Sequence, residues 1–234
     1  MTGVTGRHLL AMAVERAMHG VREYQRRRPR ASTGKRPWPV FRVNGGGVAL
    51  TIDDGPHPQW TPQVLDILAW QRIRATFFLI GENVARHGSL ARRIAQAGHT
   101  IGNHSMSHPQ PFAALSNSEL GAEIDRAQRV IEDTVGLSPK VFRAPGGAWS
   151  PAVMRAVEER KMVLADWTLN TSDWKKPGAA RIHRTLSRAK ASHVLLCHDG
   201  GGDRSQTVTA LASALPLLRE RGLAFITLEE GLRG

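Results

Sequence analysis

From residue 48 to the C-terminus, short apolar runs alternate with helix-length amphipathic segments, and no other feature of the chain restricts its fold as much. Seven runs read as strands, at 48–53, 75–80, 99–103, 140–143, 162–167, 193–198 and 224–228. Between them helices are expected near 62–70, 89–97, 118–135, 151–159, 179–190 and 207–221, two of them with a proline, Pro62 and Pro151, in the first turn. Regular alternation of this kind gives an α/β fold around a parallel sheet, open or closed as a barrel. A chain of 234 residues, 41% of them apolar, buries one full-sized core, so one domain is expected.

The chemistry-bearing residues fall at the C-terminal ends of these strands, the rim where barrel enzymes build their sites. After the first run come two adjacent acids, Asp53 and Asp54, and then Gly55-Pro56, which ends the strand. Successive side chains on a strand point to opposite faces, so these carboxylates are expected to take different tasks, one as a metal ligand and one as a base. Taken alone, they read equally well as two solvated acids at a strand end. After the third run, His104 and His108 are four apart, a spacing that one helical turn would bring to one face. Two imidazoles and one carboxylate, from Asp53 or Asp54, would make a hydrolytic metal site with positions left for water. His99 is less well placed. Cys197, the one cysteine, excludes an internal disulfide, and as the strand neighbour of His198 it points away from the rim and is no candidate nucleophile.

The net charge of +12 is uneven, because residues 1–46 hold ten basic side chains against Glu15 and Glu23 and so carry +8 of it. Leu10, Val14, Ala17, Met18, Val21 and Tyr24 recur at helical spacing ahead of Arg26, Arg27, Arg28 and Arg30, so 1–46 read as an amphipathic helix and basic linker preceding a domain at 47–234. The favoured reading is a helix packed on that domain with a solvated basic tail. The functional alternative is contact with an anionic polymer or membrane surface. Aromatic residues are not interleaved with the basic ones, which argues against nucleic acid as a partner. No apolar run approaches the roughly 18 residues of a bilayer span, and residues 9–14 are broken off by Glu15 and Arg16 before they could form an export signal. As written, the chain reads as soluble and unexported.

Five short motifs then stand in order: TIDDGP at 51–56, HSMSH at 104–108, RAPGG at 143–147, the pair Asp173-Trp174, and LLCHD at 195–199. In these the chain resembles the polysaccharide deacetylases of the NodB-homology type, carbohydrate esterase family four, over residues 48–228. The resemblance implies an irregular (β/α)7 barrel with an N-terminal extension. It also implies one divalent metal, commonly zinc, held by Asp54, His104 and His108, with Asp53 as catalytic base and His198 as general acid. Arg143 would orient Asp53, and Asp173 would pair with His198. Trp174 and Leu196 would line a slot for the acetyl methyl, and the backbone N–H of Gly146 would face the developing oxyanion. Two departures stand out: Gly146 occupies a position where the family often has an aromatic, and Asn170 one where an acid is frequent. Trp60 and Trp149, on the first and third motif loops, would either stack on sugar rings or pack at the rim.

The activity so implied is metal-dependent hydrolysis of acetyl groups on N-acetylated glycans, chitin-type oligomers or peptidoglycan. The alternatives are an O-deacetylase of acetylated xylan and a glycan-binding module without catalysis, the second disfavoured by the intact set of Asp53, Arg143, Asp173 and His198. A glycosidase using Asp53 and Asp54 is disfavoured because adjacent strand residues diverge and the two histidines would be left unexplained. Substrates of the family usually lie in the cell envelope or outside the cell, which stands against the absence of an export signal in the chain as written.

Overall fold

The computed structural model describes residues 39–233, so the helix and most of the basic linker expected in residues 1–46 lie outside the described residues. Seven strands form one parallel sheet: β1 (Ala49–Asp53), β2 (Thr76–Leu79), β3 (Thr100–Asn103), β4 (Val141–Phe142), β5 (Val163–Leu164), β6 (Leu169–Asn170) and β7 (Val194–His198). Their order is β5-β4-β3-β2-β1-β7-β6, which makes β5 and β6 the two edges of a curled half-barrel. Eight helices accompany the sheet among the described residues: α1 (Trp60–Trp70), α2 (Gly81–Arg86), α3 (Gly88–Gln96), α4 (Asn117–Val135), α5 (Pro151–Glu159), α6 (Ala179–Leu186), α7 (Ser205–Glu220) and α8 (Leu228–Arg233).

Two features of the expected strand list change. Residues 224–228 reduce to a single bridge between Phe225 and Val48, after which Leu228 opens α8, so the last apolar run is spent starting a helix. The seventh strand is β6, a two-residue piece whose sequence, Leu169-Asn170, has too little apolar character to announce itself. The helices at 81–86 and 228–233 are also additional, each only six residues long and so below the length at which a periodic pattern registers.

Strand alternation sorts the side chains into two layers. Leu50 and Ile52 of β1, Phe77 and Leu79 of β2, and Leu195 and Cys197 of β7 face the helices and share one buried cluster with Val64, Leu68, Ile94, Leu211 and Leu215. Ala49, Phe78, Val194 and Leu196 face the concave side with Trp167 and Leu228. Space on that side is tight: a Cβ on Gly102 of β3 would stand 2.5 Å from the Phe78 ring, so only glycine lets that ring lie flat under Arg143.

The open side of the half-barrel is crossed by residues 40–43. Val40 bridges in parallel to Ala165 beyond β5, and Arg42 bridges antiparallel to His193 beside β7. Backbone bonds from Val40 to Leu164 at 2.7 Å and from Val43 to Ser192 at 3.0 Å fix this crossing, and the Thr168 hydroxyl donates to the Phe41 carbonyl. Sequence places these residues in a linker; in the fold they satisfy edges of the sheet that would otherwise be unpaired.

Candidate active site

Strand register delivers the rim. Asp53 is paired with His198 across β1 and β7, and Asn103, the last residue of β3, is paired with Phe142 of β4. The residues that end or follow these strands, Asp53-Asp54, His104, Arg143 and His198, are therefore carried to one end of the sheet.

The two acids meet the same site for a reason other than strand alternation. Asp53 closes β1, but Asp54 lies past its end with φ of 74°, a left-handed conformation that turns its carboxylate back toward the face Asp53 already occupies. Asn83, on α2, supports this turn by donating its amide to the Asp54 carbonyl at 2.8 Å. The imidazoles are likewise not joined by a helical turn. Residues 104–108 form a bent loop with left-handed residues at Ser105 and His108, and it sets the two rings 4.9 Å apart, edge to face. The helical turn expected from the spacing of four is therefore replaced by this loop.

Asp54 Oδ1 stands 3.4 Å from Nε2 of His104 and 3.4 Å from Nε2 of His108. That oxygen is buried and has no hydrogen-bond partner. His104 directs its Nδ1 to the Arg143 carbonyl at 2.8 Å, so Nδ1 carries a proton and Nε2 is the ring nitrogen turned to Asp54. Burial, followed by the neighbouring His104, lowers the pKa of His108 and favours the neutral ring that a metal requires. Burial alone would raise the Asp54 carboxyl, but contact with His104 and the charges of His198, His104 and His108 outweigh it and hold the group well below the usual carboxylate range. The donor atoms of Asp54, His104 and His108 all lie within 4.8 Å of one another. Ligands about 2.05 Å from a tetrahedral ion stand roughly 3.3 Å apart, which matches the two observed 3.4 Å separations. A carboxylate and two imidazoles in this arrangement fit one divalent cation.

Two pairs flank this cluster. On one side Arg143, fully buried, donates to Asp53 Oδ1 at 2.7 Å, to the Thr51 hydroxyl at 2.8 Å and to the Asp166 carbonyl at 2.9 Å, with its guanidinium 4.2 Å from the Phe78 ring centre. On the other side His198 Nδ1 lies 2.7 Å from Asp173 Oδ1. Asp173 is itself held by Thr171 at 3.0 Å, by Thr207 of α7 at 2.8 Å and by the His198 backbone N–H at 2.8 Å. Burial would lower the His198 pKa, yet the bond to Asp173 and the nearby acids raise it from 6.5 to about 9. Asp173 moves the opposite way: burial pushes it up, and the His198 contact more than offsets this and lowers it.

The remaining candidates divide. Trp174 is half exposed, with Lys175 Nζ 4.9 Å from its ring centre, and Leu196 is buried on the concave face. Gly146 is exposed with φ of 64°, a conformation that an aromatic residue would adopt only with strain. Asn170 ends β6 and accepts the Ser172 N–H at 2.7 Å. Trp149 and Trp60 are only 4% and 9% exposed, which leaves neither ring a face for a sugar. Trp149 packs on Phe142 and donates to Asp166 at 3.2 Å, while Trp60 starts α1 against His57. Of the two roles the sequence left open for these rings, sugar stacking or packing, their burial corresponds to packing. Sequence reasoning gave no role to Asn83, Thr51, Thr171, Thr207 or Asp199. Of these, Thr51 and Asp199 stand within quoted motifs; Asp199 accepts the Thr61 hydroxyl at 2.6 Å, and burial raises its carboxyl to about 7.

Comparison with known proteins agrees with this geometry. The profile of the polysaccharide deacetylases matches residues 42–165. A peptidoglycan-N-acetylglucosamine deacetylase of Bacillus cereus is 42% identical over 205 residues, covering 86% of this chain and 94% of that protein. A chitooligosaccharide deacetylase of Sinorhizobium fredii is 33% identical over 220 residues, covering 89% of this chain and 97% of that protein. Among solved structures, a peptidoglycan N-acetylglucosamine deacetylase superposes with a TM-score of 0.78 at 34% identity, covering 82% of this chain and 91% of that one. With the half-barrel, the five motifs and the full-length relatives in agreement, the chain belongs to the polysaccharide deacetylase family, carbohydrate esterase family four.

Proposed function

We propose that this protein removes acetyl groups from glycans containing N-acetylglucosamine, using one divalent ion, zinc, held by Asp54, His104 and His108. The observation that carries the reading is the convergence of those three donors between an acid anchored by arginine and a histidine anchored by aspartate. An ion held there supplies positive charge that polarises the acetyl carbonyl and makes a nearby water more acidic. Asp53, aligned by Arg143, takes a proton from the attacking water. His198, charged in its pairing with Asp173, gives a proton to the departing amine, without which an amide is a poor substrate. Trp174 and Leu196 enclose the acetyl methyl, and the Gly146 N–H is offered to the oxyanion. The test is acetate release from N-acetylglucosamine oligomers, peptidoglycan and acetylated xylan, after chelation and again after zinc is restored. Release from xylan alone would replace the amide reading with the ester one.

His104→Ala removes a donor whose tautomer the fold has already fixed, so the purified variant is expected to hold less than about a tenth of the parent's zinc. Elemental analysis decides this, and full loading of the variant would remove His104 from the ligand set.

The His198 pairing has a signature in pH. Its folded pKa lies above the ordinary value, so the charged ring contributes stability in full below about pH 6.5 and loses it as pH rises through about 9. As the proton donor it fails only as pH rises through about 9. Asp173→Asn weakens the hold on that proton, so the alkaline limb of the kcat profile is expected to move down by roughly one to three pH units. An unmoved limb would mean that another group donates the proton.

A further inference from the structure

The loop that carries both imidazoles makes no backbone ladder of its own. From Ser105 to His108, each successive N–H ends on a side-chain acceptor: Asn103 Oδ1 at 2.9 Å, Glu123 Oε2 at 3.0 and again at 2.9 Å, and Ser105 Oγ at 3.1 Å. Glu123 is the outside member of this set. It belongs to α4, is partly buried, and also accepts the Ser107 hydroxyl on Oε1 at 2.9 Å. The same helix takes the other end of the loop, since Asn103 donates to the Ile124 carbonyl at 3.0 Å and to Gln128 at 3.1 Å. On the opposite side the Ser105 and Met106 carbonyls receive the N–H groups of Gly81 and Glu82 in the first turn of α2, at 3.0 and 2.9 Å. What these contacts hold in place is unfavourable by itself, because Ser105 and His108 are non-glycine residues with φ of 67° and 55°.

We propose that Glu123 is a positioning residue for the metal centre. By gathering two consecutive N–H groups and a hydroxyl of the loop, it converges the Nε2 atoms of His104 and His108 on Asp54 before an ion arrives. The inference rests on the reading of Asp54, His104 and His108 as the metal ligands. Its physical content is that order already present in the metal-free protein need not be created when the metal binds, so the clamp appears as affinity. A side-chain oxygen at the end of this arm suits the task because its two lone pairs let one oxygen take two donors.

The clamp can be separated from the charge that accompanies it. Glu123→Gln loses the charge but keeps a carbonyl oxygen of the same reach for Met106 and Ser107, and its amide can donate to the Ser107 hydroxyl. Glu123→Asp keeps the charge but is shorter by one carbon–carbon bond, about 1.5 Å, and cannot span to the loop. Zinc affinity of each full-length protein, measured by competition with a chelator at neutral pH, is expected to fall about 10- to 100-fold in Glu123→Ala and Glu123→Asp and to stay within about threefold of the parent in Glu123→Gln.

Hydrogen exchange on the metal-free parent should show the Met106 and Ser107 amides protected, a measurement that needs no variant to fold. If those amides exchange freely, the loop is not ordered before metal and the proposal fails. It fails equally if the variants melt at lower temperature but bind zinc as the parent does, which would leave Glu123 a structural role only. A reversed ranking, with Asp tolerated and Gln not, would put the effect in the charge and overturn the clamp. Absence of zinc binding by the parent itself would sink the ligand assignment, an outcome distinct from equal binding by all.

Discussion

Asp53→Asn is expected to lower turnover by about 10²- to 10⁴-fold while leaving the zinc content near that of the parent. The substitution is nearly isosteric, and the amide oxygen can still accept from Arg143, whose Nη1 lies 2.7 Å from Oδ1 in the parent. What is lost is a basic oxygen able to take a proton. The three proposed metal donors remain, since the acid among them is Asp54, whose Oδ1 lies 3.4 Å from both imidazole Nε2 atoms, whereas Asp53 Oδ2 is 3.8 Å from His104. Asp54→Asn is accordingly expected to lose both metal and turnover. Acetate release and elemental analysis on the two purified variants give four numbers, and an Asp53→Asn protein that loses metal yet keeps turnover would reverse the roles of the neighbours.

This pair of acids also marks where sequence was readable and where it stopped. The carboxylate and two imidazoles were readable because a hydrolytic metal site calls for them, whereas the pairings of Asp53 with Arg143 and of His198 with Asp173 followed from the family resemblance. Strand ends were readable because apolar runs stop where Asp53, Asn103, Arg143 and His198 begin the rim. Backbone handedness was not. Alternation along a strand predicts that Asp53 and Asp54 diverge, yet a φ of 74° one residue past the strand end brings them together. The same oversight made residues 104–108 a helical turn, when two left-handed residues and acceptors from another helix shape the loop. Non-glycine residues reach that conformation only when surrounding contacts outweigh its cost, and two of the contacts here, from Asn83 and Glu123, come from remote parts of the sequence, joined by the neighbouring Asn103. For Trp60 and Trp149 the missing information was burial, which depends on packing partners such as Phe142 that no local pattern identifies.

Arg143→Met is expected to remove activity and to destabilise the fold by about 3–5 kcal/mol, because it strands a buried carboxylate whose partner has gone. Met matches the length of the arginine stem and can keep contact with the Phe78 ring, so packing loss is kept small while the charge is deleted. Asp53, 2% exposed, then loses the guanidinium bonded to its Oδ1 and has little solvent to replace it. For a domain of this size the penalty corresponds to a fall in melting temperature of roughly 6–20 °C. Lysine is not expected to rescue fully: one ammonium cannot reproduce the planar fork that serves Asp53, Thr51 and the Asp166 carbonyl together. The decisive protein is the double variant Arg143→Met, Asp53→Asn, which deletes the stranded charge as well. If pairing is what Arg143 contributes, the double variant should melt several degrees above Arg143→Met while remaining inactive. A double variant less stable than either single one would instead assign the loss to packing on the concave face, and the pairing account of Arg143 would have to be given up.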